Sequence, residues 1–299
     1  MKTLWVESYR PTNIEEYLCD EDFKNNILRK FISEKSIPHI ILYGSAGQGK
    51  TTLAKILIKE LNATYLYINA SEENGINIIR EKVKEFAKSS SLSPVKIVFF
   101  DEGDRLSPEA QDSLKNMIES YSNKTRFIFT TNKLHGFIEP IISRCAVFEI
   151  KAPSKREVAK RLVYIAKSEN VKLSMDTLSM IVNDNYPDIR RCIDDMEVNV
   201  KDGVCLYVNK SLKFIDNLFD IIENNNTFTS KFKEIKDLMY QQDFNYNHLY
   251  SELFNKLETK DKLDLSILIV GEYSYYNSLV MDKRINFLTC ITKLINLWN

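Results

Sequence analysis

The residues Gly44-Ser-Ala-Gly-Gln-Gly-Lys-Thr51 combine glycine freedom, one ammonium and one hydroxyl in the spacing GxxxxGK[ST]. An apolar run, HIILY, precedes them and a helix-forming run, TLAKILIKEL, follows. In that context the glycines let successive backbone N–H groups turn inward as an anion nest at a helix N-terminus. Lys50 is then placed to reach the β- and γ-phosphates of a nucleoside triphosphate, and the Thr51 hydroxyl to ligate Mg²⁺. The predicted nucleotide-binding residues are Gly44, Ser45, Ala46, Gly47, Gln48, Gly49, Lys50, Thr51 and Thr52, and the predicted cofactors are ATP and Mg²⁺. The bland alternative is a glycine-rich turn that carries a lysine; the full spacing between a strand and a helix argues for the nucleotide site.

Further along, Ile97-Val-Phe-Phe-Asp-Glu102 is an apolar strand that ends in adjacent carboxylates. Asp101 is positioned to hold Mg²⁺ through water, and Glu102 to orient and activate the attacking water. The strand Phe127-Ile-Phe-Thr-Thr-Asn132 closes on polar residues, so Asn132 or Thr131 is predicted to lie near the γ-phosphate. Arg190, in Tyr186-Pro-Asp-Ile-Arg-Arg-Cys192, opens a helix outside the sheet and either bends back onto the γ-phosphate or is simply solvated. Arg144 stands between two apolar runs, IEPIIS and CAVFEI, with Glu139 and Glu149 as its nearest carboxylates in sequence. A local role for it is capping carbonyls or pairing with one of those two.

These residues need elements to carry them. Strand-like runs at 39–43, 64–69, 95–100, 125–131 and 146–150 alternate with helical segments Thr51–Leu61, Glu73–Lys88 and Pro108–Tyr121. Continuous apolar strands separated by helices predict an α/β fold, a parallel five-stranded sheet covered on both faces. Ser107-Pro108-Glu109 is a helix start, with Ser as cap and Pro in the first turn. Segment 73–88 sets Ile76, Ile79, Val83 and Phe86 on one face and Arg80, Lys84 and Lys88 along an adjacent basic ridge. Beyond Ile150 the strand signal fades. Helices are predicted from Ser154, over 175–184 and over 188–200, then a turn at Lys201-Asp-Gly203 and a helical remainder. The predicted domains are 1–151 (nucleotide-binding), 152–203 (helical lid) and 204–299 (helical collar).

Bulk properties narrow the classes. A chain of 299 residues with 44% hydrophobic and 27% charged residues supports cores without metals or disulfides. Lys+Arg and Asp+Glu balance at 41 each, so any nucleic-acid surface must be local. Five scattered cysteines without CxxC spacing argue against a disulfide framework or structural zinc, and three isolated histidines against metal or His-base catalysis. MKTLWVESYRP lacks the apolar core of a signal peptide and no run is long enough to span a bilayer, which predicts a cytoplasmic protein without membrane contact.

Taken together, Trp5-Val-Glu-Ser-Tyr-Arg-Pro11, PHIILYG, the glycine loop, the Asp101-Glu102 box, the 121–150 block and PDIRRC resemble the AAA+ ATPase subunits of sliding-clamp loaders. The 121–150 block is similar to replication factor C small subunits. The DEGDR box and PDIRR helix are similar to the large clamp-loader subunit of T-even-type tailed phages, for which the location is the host cytoplasm. The resemblance covers roughly residues 4–200. It implies a DNA-dependent ATPase in an open five-membered spiral that loads a ring clamp onto primer–template DNA. The implied partners are the sliding clamp, primer–template DNA read with little sequence specificity, copies of the chain itself and a distinct small clamp-loader subunit. By resemblance, Tyr9, Arg10 and Pro11 line the adenine pocket, and Arg190 couples the lid to nucleotide state. Arg80, Lys82, Lys84 and Arg105 follow the DNA backbone. Arg144, in the family's Ser-Arg-Cys motif, acts in trans on the neighbour's γ-phosphate. Ser8, Ser45, Ala46, Gln48 and Pro187 depart from the family's usual residues, and Gly103, where bulkier residues are usual, is expected to loosen the turn after Glu102. The alternatives are a non-hydrolysing scaffold subunit of a clamp loader and a AAA+ helicase or initiator-type ATPase.

Overall fold

A computed structural model describes residues 3–224, 227–240, 244, 246–260 and 265–298. They fall into two compact units, 1–206 and 207–299. In the first, α1 (Trp5–Ser8), α2 (Glu21–Phe23) and α3 (Arg29–Ser33) precede β1 (Ile40–Tyr43). Next come α4 (Lys50–Glu60), β2 (Thr64–Asn69), α5 (Ile76–Lys88), β3 (Lys96–Asp101) and α6 (Pro108–Tyr121). They are followed by β4 (Thr125–Thr131), α7 (Glu139–Ile142) and β5 (Ala146–Glu149). The strands form one parallel five-stranded sheet, as predicted from the strand–helix alternation, and their order is β2-β3-β4-β1-β5.

The pleat divides the apolar strands between two cores. Ile40, Leu42, Ile97, Phe99 and Ile128 face α4, whereas Ile41, Val98, Phe100, Phe127 and Phe129 face α5 and α6. Phe100 and Phe129 stack with centroids 5.2 Å apart. The predicted cap of α6 is present, with the Ser107 hydroxyl accepting from Ala110 N at 3.2 Å and Pro108 in the first turn. α5 starts three residues later than expected from 73. Asn69 takes the intervening residues into a turn, its side-chain oxygen accepting from Ser71 N at 3.1 Å and its carbonyl from Glu73 N at 2.9 Å. Buried Lys96 closes the other end of α5, donating to Ser89 O at 2.7 Å and to Phe86 O.

After β5, Ser154 and Glu157 form a capping box for α8 (Lys155–Ser168), followed by α9 (Met175–Asn185) and α10 (Ile189–Val198). The turn predicted at Lys201-Asp-Gly203 is present and closes a short hairpin of β6 (Val200–Lys201) and β7 (Val204–Cys205), whose strands were not predicted. Asp202 and Gly203 have φ of 50° and 73°, the left-handed pair that matches strand twist in a two-residue loop. Two-residue strands are too short to carry periodicity. The second unit contains α11 (Lys210–Glu223), α12 (Phe228–Tyr240), α13 (Tyr246–Thr259), α14 (Ser266–Tyr276) and α15 (Lys283–Trp298), packed around fully buried Phe219 and Phe287. Among the described residues no helix is long and apolar enough to cross a membrane.

His39 supplies a pH handle on the first unit. Its Nδ1 accepts from Phe127 N at 3.2 Å, and burial, with Arg126 nearby, lowers its pKa to about 4. The folded chain therefore favours the neutral ring, so unfolding stability should fall as pH drops from about 6.5 towards 4. Thermal melts of His39→Asn, which keeps an acceptor without a titrating ring, are expected to show a shallower pH slope in that window.

Candidate active site

The glycine loop joins β1 to α4 at the carboxyl edge of the sheet. Gly47 and Gly49 have φ of 72° and 86°, which favours glycine, and a Cβ on Gly47 would also collide with the Asp188 carboxylate. Gln48 closes the loop from within, its Oε1 accepting from Ser45 N at 2.9 Å. Lys50 is buried, and its ammonium donates to Gly44 O (2.9 Å), Ser45 O (2.7 Å) and Asn132 Oδ1 (2.7 Å). Burial lowers its pKa, an effect that the nearby Asp101 charge opposes. The Lys50–Asn132 contact arises because β4 lies between β1 and β3, so its polar tip meets the loop. Thr131, the other candidate on that tip, is instead buried and folded onto Lys133, accepting from its N–H at 2.8 Å.

Asp101 ends β3 beside the loop. Its Oδ1 accepts from Thr51 Oγ1 at 2.8 Å and from the Thr130 hydroxyl, and its Oδ2 accepts from Tyr67 OH at 3.3 Å. Burial and then the Asp101 charge push the Tyr67 phenol up to about 12. A threonine hydroxyl and a carboxylate at this spacing are hard oxygen donors of the kind Mg²⁺ prefers, so the donor set fits the predicted metal. Glu102 follows, exposed, with φ 54° and ψ 43°, its N–H donating to Thr130 Oγ1 at 3.2 Å.

Gly103 is buried, and the expectation of a loosened turn does not hold. A Cβ there would lie 2.7 Å from Phe137 Cζ, and Phe137 packs edge-on against Phe129 at 5.4 Å. The ring fills the space a larger residue would take. Gly103→Ala should cost about 1–3 kcal/mol through overpacking. Combining it with Phe137→Leu should cost less than the two singles added, measured by denaturant unfolding.

A cleft beside the loop is lined by Tyr9, Arg10, Pro11 and Tyr17 from the N-terminal segment, Gly47 to Thr52, and Arg161 and Arg190. Tyr9 OH donates to Glu169 at 2.8 Å and Arg161 donates to Tyr9 O at 2.6 Å, tying this segment to α8. The adjoining polar pocket holds Ala46, Lys50, Thr51, Lys55, Asp101, Glu102, Asn132 and again Arg190. Thus most of the predicted nucleotide residues converge from the N-terminal segment, the ends of β1, β3 and β4, and α10. Gly44 and Ser45 contribute their carbonyls to Lys50 and line a separate cleft with Tyr186 and Pro187.

Arg144 is the site candidate on the opposite edge. Strands β1 and β5 run parallel, so Arg144, before β5, lies at the amino edge while the loop lies at the carboxyl edge. Its carboxylate partner in the chain is neither Glu139 nor Glu149. Arg144 Nε donates to Glu119 Oε1 on α6 at 3.0 Å, and Nη1 to Pro140 O at 2.7 Å. The reason is that α6 returns to the amino edge and ends beside α7. Buried Gln111 of the same helix donates to Gly136 O (2.9 Å) and Leu106 O (3.2 Å), and its Oε1 accepts from Ile138 N (2.9 Å). That side chain bridges the turn after Glu102 to the segment leading to Arg144. Arg80, Lys82 and Lys84 are exposed along α5, with Lys82 paired to Glu73, and Arg105 is exposed in the turn after Glu102.

Tyr67, Thr130, Arg161, Asp188 and Gln111 were not among the candidates. Each acts through sheet register or a distant helix; only the Asp188 position, three before Arg191, carried a local cue as an N-cap.

A family model described as ATPase family associated with various cellular activities (AAA) matches residues 40–153. The chain is 41% identical over 201 residues to replication factor C small subunit 1 of Pyrobaculum islandicum, covering 65% of this chain and 61% of that protein. It is 33% identical over 308 residues to replication factor C small subunit 1 of Pyrobaculum aerophilum, covering 97% of this chain and 93% of that protein. Among solved structures, Thermotoga maritima RuvB, a Holliday junction branch migration motor, superposes with TM-score 0.55 at 16% identity over 84% of this chain and 80% of that one. That likeness is one of fold alone.

Proposed function

The chain belongs to the replication factor C small-subunit family of AAA+ ATPases, and from that premise we propose that it is the hydrolysing subunit of a sliding-clamp loader. In this reading ATP bound between subunits opens a ring clamp for loading onto primer–template DNA, and hydrolysis releases it. The observation that carries it is the set Lys50, Thr51, Asp101, Glu102 and Asn132 lining one pocket, since a scaffold subunit has no need to keep all five.

The chemistry follows from the residues. Loop N–H groups and Lys50 bind the phosphates, while Tyr9, Arg10 and Pro11 enclose the adenine. Thr51 and Asp101 would hold Mg²⁺, which when bound neutralises charge on the phosphates. Glu102 accepts the proton of the attacking water and Asn132 orients it. Arg190, at the start of α10, senses the γ-phosphate, and Arg144 serves the neighbouring subunit. Residues 152–203 act as a lid and 204–299 as a collar. Arg80, Lys82, Lys84 and Arg105 track phosphates with little base readout. The subunit works in the cytoplasm with copies of itself and a distinct small subunit in a five-membered spiral. Its DEGDR box and PDIRR helix favour the T-even-type phage branch, and so the host cytoplasm.

The test is steady-state ATP hydrolysis with a sliding clamp, with primed DNA, and with both. The pair should stimulate more than the two separate increments added. No response to the clamp, or unwinding of the DNA, would replace this reading with the helicase one.

A further inference from the structure

We infer that Glu119 travels with Arg144 into the phosphate pocket of a second copy of this chain and pairs there with Lys55. The inference rests on the reading of Arg144 as a residue that acts in trans.

Arg144 and Glu119 present themselves as a unit. Their side chains are 32% and 60% exposed, and the guanidinium uses Nε and Nη2 on Glu119 and Nη1 on Pro140 O. Of its five N–H groups, two remain for a phosphate oxygen without breaking that grip. A guanidinium that reaches the phosphate of another copy therefore brings a carboxylate with it. The receiving pocket already holds Asp101 and Glu102, and phosphates add more negative charge. A further carboxylate is tolerated there only opposite a cation.

The pocket offers Arg10, Lys50, Lys55 and Arg190. Arg10 is paired with Glu7, and Lys50 is held by three acceptors inside the loop. Arg190 also lines the nucleobase cleft and, in the proposed function, is committed to the γ-phosphate. Lys55 is different. It is exposed and, among the described residues, its ammonium makes no hydrogen bond or ion pair. It also lines the groove at the β2 edge with Lys59, Tyr65 and Tyr67, which puts it where that groove meets the pocket.

Coupling between the two residues cannot arise within one chain. Lys55 sits on α4 over the sheet face of Ile97 and Phe99, and Glu119 on α6 over the face of Val98 and Phe100. Any energetic interaction between them reports contact between copies.

A double-mutant cycle on the full chain tests this, using Lys55→Gln, Glu119→Gln and the pair. Glutamine at 119 keeps an acceptor for Arg144. Each single variant should lower both ATP-dependent self-association, read by sedimentation velocity, and hydrolysis by about tenfold, because it strands one charge at an interface. The double variant should be no worse than either single. A double effect near the product of the singles, or no effect of Lys55→Gln, would overturn the pairing. Arg144→Ala separates the layers: full hydrolysis by that variant removes the trans reading itself, whereas lost hydrolysis with an additive cycle removes only the Glu119–Lys55 contact.

Discussion

Arg144→Ala is expected to lower ATP hydrolysis by the assembled protein by about 10³-fold or more, while the isolated chain keeps its melting temperature. The two halves of this result have separate causes. The Arg144–Glu119 pair is solvent-accessible, and such pairs contribute about 0.2–1 kcal/mol. For a unit of this size that corresponds to about 4 °C at most. The catalytic loss is larger because an arginine at a developing phosphate charge acts where water is excluded. A mixing experiment sharpens the result. Arg144→Ala chains keep an intact pocket, and Lys50→Ala chains keep an intact arginine. Mixed assemblies should regain part of the activity that each lacks alone. A variant that loses stability but hydrolyses normally would make Arg144 a tie between α6 and α7.

Glu102→Gln should bind ATP with nearly native affinity and hydrolyse it about 10²–10⁴-fold more slowly, the usual worth of a positioned general base. Glutamine preserves shape and removes the proton acceptor, so nucleotide binding, read by fluorescence titration, and phosphate release should separate. The backbone supplies a control. Glu102 holds φ 54°, a conformation that costs a side-chain-bearing residue about 1–2 kcal/mol. Glu102→Gly should therefore raise unfolding stability while abolishing hydrolysis. A residue that served only the turn would improve stability with no catalytic penalty.

Much of this centre was legible because its signals are local. The glycine loop is contiguous, and the Asp101-Glu102 pair stands at the end of an unbroken apolar run. Asn132 required one further step, the placement of β4 between β3 and β1, and the structure puts it 2.7 Å from Lys50. What escaped depends on register or on long returns of the chain. Tyr67 meets Asp101 because Asn69 pairs with Asp101 across β2 and β3, two residues along the same strand. Thr130 lies within β4 and carries no local cue; its hydroxyl reaches the Asp101 carboxylate only because β3 and β4 are neighbours. Glu119 is 25 residues from Arg144, and only the length and direction of α6 make them neighbours. Gly103 was misread because its occupant, Phe137, comes from a different turn.

The placement of the glycine loop and Arg144 at opposite edges of one sheet also makes a counting argument. With Arg144 acting in trans as proposed, each chain would be a donor at one end and an acceptor at the other, and contacts between copies would be head-to-tail. A closed ring of such chains completes every site. An open arc always leaves one pocket without a donor and one donor without a pocket. If single-turnover phosphate release from a mass-defined assembly gives one equivalent fewer than the number of bound ATP, the arc is open. Equality would mean closure. The gap in the arc is then also the one place where another polypeptide can join without displacing a subunit already there.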